Sequence, residues 1–584
     1  MRSPLLWSGL NLGLFGQSPN RELLSQARLG PHTPRPNIVF ILTDDQDLHL
    51  NSLSYMPFVQ KHLIEQGTFY TRHFCTVALC CPSRVSLWTG KAAHNTNVTD
   101  VSPPYGGYPK FVSQGLNENF LPVWLQEAGY STYYTGKLLN AHTVENYASP
   151  YVKGFNGSDF LLDPFTYQYL NSTYQRNRES PVSYEGQHSV DVLAEKAYGF
   201  LEDALENEAP FFLTVAPVAP HSNVRIQRLE GDIEDIVAEF TEPIPAERHV
   251  HVFPDAKVPR TANFNPETPS GVNWIQRLPR QSKENVEYND HFYRSRLRAL
   301  QGVDEIVGGL VTRLERAGKL DNTYIIYSSD NGYHIGQHRL QPGKECGFEE
   351  DINVPLIIRG PGVPKNVTTA IVTTHTDLAP TILGLTGTSL REDFDGAAIP
   401  LTEAGLDEAS ESRHEHVNVE YWGFALGEGK DWDGGKLSNS VVLRLISGSY
   451  NFYYSVWCNN VHELYDLNDD PGQLNNLLAH PSSSITLLGH ALHKVVSRLD
   501  ALLFVLKSCK GETCVKPWKA LHPAGNVQNL HDALAPRYDA FYEREQKPVE
   551  YTRCEAGYIV DAEGPQFERE GLVYRGGRAW SEWT

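Results

Sequence analysis

No apolar run in this chain approaches the length of a bilayer span, so the mature protein is expected to be soluble. There is also no internal repeat or low-complexity tract, which argues against a solenoid or a tethered array. Cysteine is sparse: eight residues in 584 cannot build a disulfide scaffold, so apolar burial must hold the interior. Positive charge is in deficit, with 50 Lys and Arg against 70 Asp and Glu and a formal charge of −20. Such a surface excludes nucleic acid as a natural partner and repels anions at long range. Any anionic ligand must be held by local groups, and small anions are favoured over long polyanions.

The chain is long enough for two or more domains, or for one large α/β unit with an appendage. Apolar runs at Ile38–Leu42, Ser131–Tyr134, Phe211–Ala216, Tyr324–Tyr327 and Pro355–Ile358 alternate with helical patterns such as Pro122–Ala128, Val190–Leu205 and Arg294–Ala317. This alternation predicts an α/β fold: a large, mainly parallel or mixed sheet with helices on both faces. After about residue 410, strand patterns crowd together at Val417–Tyr421, Val441–Ile446, Tyr450–Tyr454 and Leu464–Leu467, followed by a helix expected from Ser484 to Val505. A smaller C-terminal α+β unit with an antiparallel sheet is predicted there. The expected division is 1–35 as an N-terminal segment, 36–410 as the large catalytic unit and 411–584 as the C-terminal subdomain. The aromatic-rich stretch Asp100–Phe120 and the polar insertion Gln227–Arg280 are expected to rim the mouth of a site.

Met1–Gly16 carries an early Arg2 and a leucine-rich stretch diluted by Ser8 and Asn11, a candidate signal region. Glycosylation sequons begin at Asn97, Asn156, Asn171 and Asn366 and acquire meaning on the secretory route. A secreted or lumenal location is expected. Cys509 and Cys514 close a short loop, and Cys458 and Cys554 lie in the same region; C-terminal disulfides are expected, with their pairing open.

Cys80-Cys81-Pro82-Ser83-Arg84 places a thiol and a guanidinium four residues apart, with a proline suited to a first helical turn. A helix start there would aim free N–H groups, and Arg84, at an anion beside Cys80. A thiol in that position is expected to have a lowered pKa. A buried or disulfide-bonded turn is the competing reading. Upstream, the run Asn37–Thr43 ends in Asp44-Asp45-Gln46-Asp47, and downstream Thr323–Ser329 ends in Asp330-Asn331-Gly332-Tyr333-His334. Oxygen ligands just past strand ends lie where open α/β sheets bind their ligands. Without Cys or His neighbours they favour Ca²⁺ or Mg²⁺ over zinc.

Cys80-x-Pro82-Ser83-Arg84, continued by Leu87-Trp88-Thr89-Gly90-Lys91, resembles the signature of type I sulfatases of the alkaline phosphatase superfamily. With the two aspartate segments, it is most similar to fungal arylsulfatases and N-acetylglucosamine-6-sulfatases. The resemblance implies an alkaline phosphatase-like fold and oxidation of Cys80 to Cα-formylglycine by a formylglycine-generating enzyme. It implies one calcium ion, rather than Mg²⁺, held by Asp44, Asp45, Asp330, Asn331 and the modified residue 80. Arg84 and Lys137, in Thr135-Gly136-Lys137, match residues that hold the formylglycine and sulfate. His221 matches the histidine that protonates the leaving alcohol, and Lys344 the lysine that binds sulfate and the leaving oxygen. Many sulfatases place a histidine two residues after the lysine of the Gly-Lys motif, where this chain has Leu139; Asn140 or His142 is expected to occupy that space. His334 is expected to touch substrate, whereas His338, His375 and Asp377 are expected to support structure.

The implied reaction is hydrolysis of sulfate monoesters, with aryl sulfates as substrates and a sugar sulfate such as glucosamine 6-sulfate as the alternative. Phosphate or phosphonate ester hydrolysis is a second class, and a sulfatase-like binding protein without turnover a third. In the implied mechanism one hydroxyl of the formylglycine hydrate attacks sulfur, and the other supports elimination of sulfate.

Overall fold

In the run Asn37–Thr43, only the two end residues are polar, and it forms a strand, β1 (Asn37–Thr43), that is buried along its whole length. Its side chains alternate between two cores: Ile38, Phe40 and Leu42 enter one, Val39 and Ile41 the other. Burial on both faces is what a central strand between two helical layers requires.

The computed structural model describes residues 35–228, 236–429, 436–437, 440–479 and 485–576. The N-terminal segment, apart from Arg35, and part of the 227–280 insertion lie outside them. Nine further strands join β1: β2 (Thr68–Tyr70), β3 (Ser131–Gly136), β4 (Gly157–Leu161), β5 (Thr173–Arg176), β6 (Val182–Ser183), β7 (Phe211–Ala216), β8 (Thr323–Ser329), β9 (Leu356–Arg359) and β10 (Val367–Thr369). Their order is β10-β2-β9-β8-β1-β7-β3-β4-β5-β6. The five central strands β8, β1, β7, β3 and β4 run parallel. Antiparallel β9 and β5 flank them, so the sheet is mixed, as the alternating pattern predicts.

Helices α1 (Cys80–Thr89), α2 (Leu121–Glu127), α3 (Ser189–Leu205), α4 (Lys283–Arg316) and α5 (Leu378–Leu385) cover the sheet. α1, α2 and α5 pack on the Phe40 face, α3 and α4 on the Val39 face. Trp88 of α1 sits edge-on to Phe40 and Phe212, which ties the helix that carries Cys80 to the sheet. α4 begins eleven residues before the expected Arg294, at a reciprocal cap between Ser282 and Asn285. Its first residues, Lys283 and Glu284, are exposed, and its first buried positions are the polar Asn289 and Asp290, so the sequence shows no apolar stripe before Phe292. The aromatic stretch before Phe120 also differs from expectation. Tyr108, Phe111 and Phe120 are buried in the core beside α1 and do not rim a mouth.

The C-terminal unit is a four-stranded antiparallel sheet, β11 (His416–Tyr421), β12 (Ser440–Ile446), β13 (Asn451–Trp457) and β14 (His462–Asp466), with α6 (Leu492–Leu506) packed on it. Ser484, the expected start of that helix, lies outside the described residues. A small hairpin, Thr486–Leu487 with His490–Ala491, takes up the next stretch of chain and delays α6 to Leu492. Val441, Leu443 and Leu445 of β12 face α6, while Val442 and Ile446 pack with Phe74, Cys75 and Ala78 of the large unit. Cys458 pairs with Cys554 and Cys509 with Cys514.

His94, on the short helix after α1, joins the units. Its Nδ1 lies 2.5 Å from Glu420 of β11 and its Nε2 bonds the Cys509 carbonyl at 2.8 Å. Burial pushes the His94 pKa down, but the Glu420 carboxylate outweighs it and lifts the pKa to about 9. A raised folded pKa stabilises fully below the unfolded value of 6.5, and the contribution is lost as pH rises through 9. His94→Gln is therefore expected to lower the unfolding midpoint at pH 6 and to approach the parent by about pH 9.5. Unfolding midpoints measured across that range check this, and a deficit independent of pH would contradict it.

Candidate active site

β1 and β8 pair in parallel with Thr43 opposite Ser329, so Asp44-Asp45 and Asp330-Asn331 leave the sheet side by side at its carboxyl edge. All four are fully buried. Asp45 takes a left-handed backbone conformation, φ 65°, which turns its N–H onto Asp330 Oδ1 at 3.0 Å. Asn331 Nδ2 donates to Asp45 Oδ1 at 2.8 Å.

Cys80 is the first residue of α1, entered from extended Leu79, with Pro82 in the first turn. Its Sγ stands 3.4 Å from Asp44 Oδ1 and 3.9 Å from Asp45 Oδ1. One turn on, Arg84 Nε donates to Asp330 Oδ2 at 2.8 Å, and its guanidinium pairs with Asp44 at 3.4 Å. Ser83 Oγ donates to the Asp330 carbonyl, which fixes the helix start against β8. Lys137, just past β3, places Nζ 2.5 Å from Asp44 Oδ2. Gly136 before it has φ 107°, and a Cβ there would lie 2.0 Å from the Ala216 carbonyl oxygen, so only glycine fits. The Cys80 thiol departs from expectation. Burial, followed by the Asp44 charge, pushes its pKa well above the ordinary value, and Lys137 and Lys344 do not compensate. As a thiol it is neutral, and the helix start does not make it a thiolate.

His221 and Lys344 complete the opposite wall. His221 Nδ1 donates to the Ser222 carbonyl at 2.8 Å, which leaves Nε2, 3.6 Å from Asp45 Oδ2, to exchange protons. Lys344 Nζ lies 2.8 and 2.7 Å from the two Asp45 oxygens and 2.9 Å from Glu428 Oε1. Burial pushes Lys344 down, but Asp45 and neighbouring negative groups carry it well above its ordinary value, so it stays an ammonium. Burial likewise pushes Asp45 and Asp330 up and is outweighed, chiefly by Lys344 for the first and Arg84 for the second; both end below the usual carboxylate range. Asp44 ends raised, by burial and then by Asp330.

The remaining expected residues lie outside this direct contact network. His142 is buried between Tyr108 and Phe160, both ring nitrogens lack a partner, and burial pushes its pKa down to about 3. Asn140 reaches the site through another side chain: it donates to the Tyr167 hydroxyl at 2.5 Å. Tyr167 stacks on His221 at 4.1 Å and lies under the Lys137 ammonium. His334 bonds Asp351 at 2.7 Å, and its backbone pairs with Gly343, so it braces the loop that carries Lys344. His338 bonds Ser270 and stacks on Phe348. His375 bonds Ser83, and Asp377 is held by Thr374, Ala397 and Arg413.

Sequence reasoning missed Tyr167, Glu428 and Arg296. Arg296 donates to the backbone oxygens of Asp45 and Pro220. Its signal was a charged residue among Phe292, Tyr293, Leu297 and Leu300, on the buried face of α4. Tyr167 and Glu428 lie in loops that carry no motif.

A hard cation fits this pocket. The donor atoms of Asp44, Asp45, Cys80 and His221 lie within 4.8 Å of one another, and Asn331 Oδ1 is buried without a partner. Four carboxylates, including Glu428, face only three fixed cations, Arg84, Lys137 and Lys344. A divalent ion would reverse that excess and leave one formal positive charge for an anion.

The family model described as Sulfatase matches residues 36–388, and one for the C-terminal part of N-sulphoglucosamine sulphohydrolase matches residues 336–501. The chain is 37% identical to an arylsulfatase of Volvox carteri over 556 residues, covering 89% of this chain and 82% of that protein. It is 31% identical to the N-acetylglucosamine-6-sulfatase of Homo sapiens over 549 residues, 88% of this chain and 90% of that one. Among solved structures it is similar to BT4656 in complex with its substrate D-glucosamine-2-N,6-O-disulfate. The TM-score is 0.61 at 22% identity, over 77% of this chain and 94% of that one, a likeness of fold. The family match takes in Asp44-Asp45, Asp330-Asn331, the Cys80 helix, Lys137, His221 and Lys344, and on that ground this chain belongs to the sulfatase family.

Proposed function

We propose that this protein hydrolyses sulfate monoesters at the pocket around residue 80, with aryl sulfates as accepted substrates. The observation that carries the reading is the convergence of Arg84, Lys137 and Lys344 on Asp44 and Asp45 beside Cys80, the first residue of α1. Residue 80, converted to formylglycine by its generating enzyme, would supply a hydroxyl nucleophile, and calcium held by Asp44, Asp45, Asp330 and Asn331 would lower that hydroxyl's pKa. Arg84 and Lys137 hold residue 80 and its anion from one side. Lys344 meets the sulfate and leaving oxygens from the other, in a buried setting where fixed charges act with little reorganisation. His221 donates a proton from Nε2 to the leaving oxygen, oriented by its bond to Ser222 and its stack on Tyr167.

Two observations favour an aryl group over a sugar. The Volvox arylsulfatase is the more similar of the two relatives, and exposed Phe424 and Leu426 stand on the segment that leads to Glu428 beside Lys344. The sugar reading has the human N-acetylglucosamine-6-sulfatase in its support. Comparing kcat/KM for nitrophenyl sulfate and glucosamine 6-sulfate separates them, and nitrophenyl phosphate as a third substrate tests the phosphatase alternative. No helix among the described residues is long and apolar enough to cross a membrane. A secretory or lumenal location fits the sequons and the need for a maturation enzyme. Residues 36–410 and 411–584 are assigned as catalytic unit and C-terminal subdomain.

Cys80→Ala is expected to abolish turnover with an unchanged fold, while Cys81→Ala, on the core face of α1, keeps most activity. Steady-state assays with circular dichroism check this, and the reverse ranking would move the nucleophile to Cys81. His221→Ala is expected to cost roughly 10²–10⁴-fold on esters of poor leaving groups and far less on nitrophenyl sulfate, whose phenolate needs little protonation. Equal losses across a leaving-group series would deny His221 the acid role.

A further inference from the structure

Glu428 has no place among the expected ligands or catalytic groups, yet it is buried at the centre of the site's far wall. The chain brings it there by lacing one short segment to the Lys344 loop. The Leu426 N–H donates to Glu345 Oε2 at 2.6 Å, Gly427 bridges Gly343 in antiparallel fashion, and the Glu428 N–H donates to the Pro342 carbonyl at 2.7 Å. Gly343 lies so close to this segment that a Cβ there would sit 2.7 Å from the Leu426 carbonyl oxygen.

Both Glu428 oxygens are engaged. Oε1 lies 2.9 Å from Lys344 Nζ, and Oε2 accepts from Ser222 Oγ at 2.9 Å and from the Tyr333 hydroxyl at 3.1 Å. Ser222 follows His221, and Tyr333 lies two residues beyond Asn331, so one carboxylate ties together three loops of the site. Burial pushes Glu428 up, but Lys344 and then His221 outweigh it and hold the carboxyl at about 2. It therefore faces Lys344 as a fixed negative charge.

A buried lysine without that partner would attract any sulfate. Attraction that is equal for ester and transition state does not speed the chemical step. It also favours the product, because inorganic sulfate is a dianion and the ester a monoanion. We propose that Glu428 is a positioning residue for sulfate-ester hydrolysis: it fixes the Lys344 ammonium beside Asp45 and weakens that ammonium's hold on product sulfate. The proposal rests on the reading that Lys344 meets the sulfate.

The test compares Glu428→Gln, Glu428→Asp and Lys344→Ala with the parent on nitrophenyl sulfate at constant ionic strength, reading kcat, KM and the Ki of inorganic sulfate. Glu428→Gln keeps the shape and removes the charge; kcat is expected to fall about tenfold while the Ki for sulfate also falls, by about fivefold. Glu428→Asp keeps the charge but draws it back from Lys344, so kcat falls while Ki stays near the parent value; this variant carries the test if Glu428→Gln does not fold. A merely structural role would raise Ki and KM together as the site loosens, and that result, or an unchanged Ki in Glu428→Gln, overturns the proposal. Full turnover in Lys344→Ala overturns both the proposal and the reading beneath it, whereas an inactive Lys344→Ala with a parent-like Glu428→Gln overturns the proposal alone.

Discussion

The structure depends on a buried lattice of opposite charges at one edge of the central sheet. Asp44, Asp45, Asp330 and Glu428 are out of water, and so are Arg84, Lys137 and Lys344. Each would be costly to bury alone, and removing one partner of a buried pair typically costs about 3–5 kcal/mol because the other is left uncompensated. The lattice is tolerable because every member has an oppositely charged partner, and Asp44, Arg84 and Lys344 have two. Arg84 spans Asp44 and Asp330, Lys344 spans Asp45 and Glu428, and Lys137 faces Asp44. The fold supplies the frame: parallel β1 and β8 bring the aspartates together, α1 presents Cys80 and Arg84, and the β3 and β7 ends add Lys137 and His221.

This lattice reaches past the expected unit boundary near residue 410. Glu428 comes from the C-terminal side of that boundary and touches Lys344. The same side provides Glu420 to His94, and Arg444 to Glu349 at 2.5 Å, a few residues after Lys344. The small antiparallel sheet thus braces the loops that form the catalytic wall. The two units differ in fold and in chain position, but the site draws on both.

Much of this was legible because the sequence placed chemistry at recognisable structural positions. An apolar run that ends in two acids predicts a buried strand with ligands at its carboxyl end, and the Asp44-Asp45 run and its Asp330-Asn331 counterpart form adjacent strands in register. The spacing of Cys80, Pro82 and Arg84 likewise predicts the start of α1. What escaped depends on tertiary placement. Glu428 and Tyr167 lie in loops where no periodicity reports burial, and the early turns of α4 bury the polar Asn289 and Asp290 where an apolar stripe would run. A helix start lowers a thiol's pKa, but at Cys80 desolvation and the neighbouring Asp44 dominate and raise it. Such an environment suits a residue whose working form is not a thiolate.

We propose that residue 80 works in an oxidised form inside the charge lattice. Mass spectrometry of the peptide that spans residues 80 and 81, taken from enzyme purified by its sulfatase activity, reads that form. An aldehyde at residue 80 with an unmodified thiol at residue 81 is the expected result. Fully active enzyme with an intact Cys80 thiol would refute an oxidised residue 80.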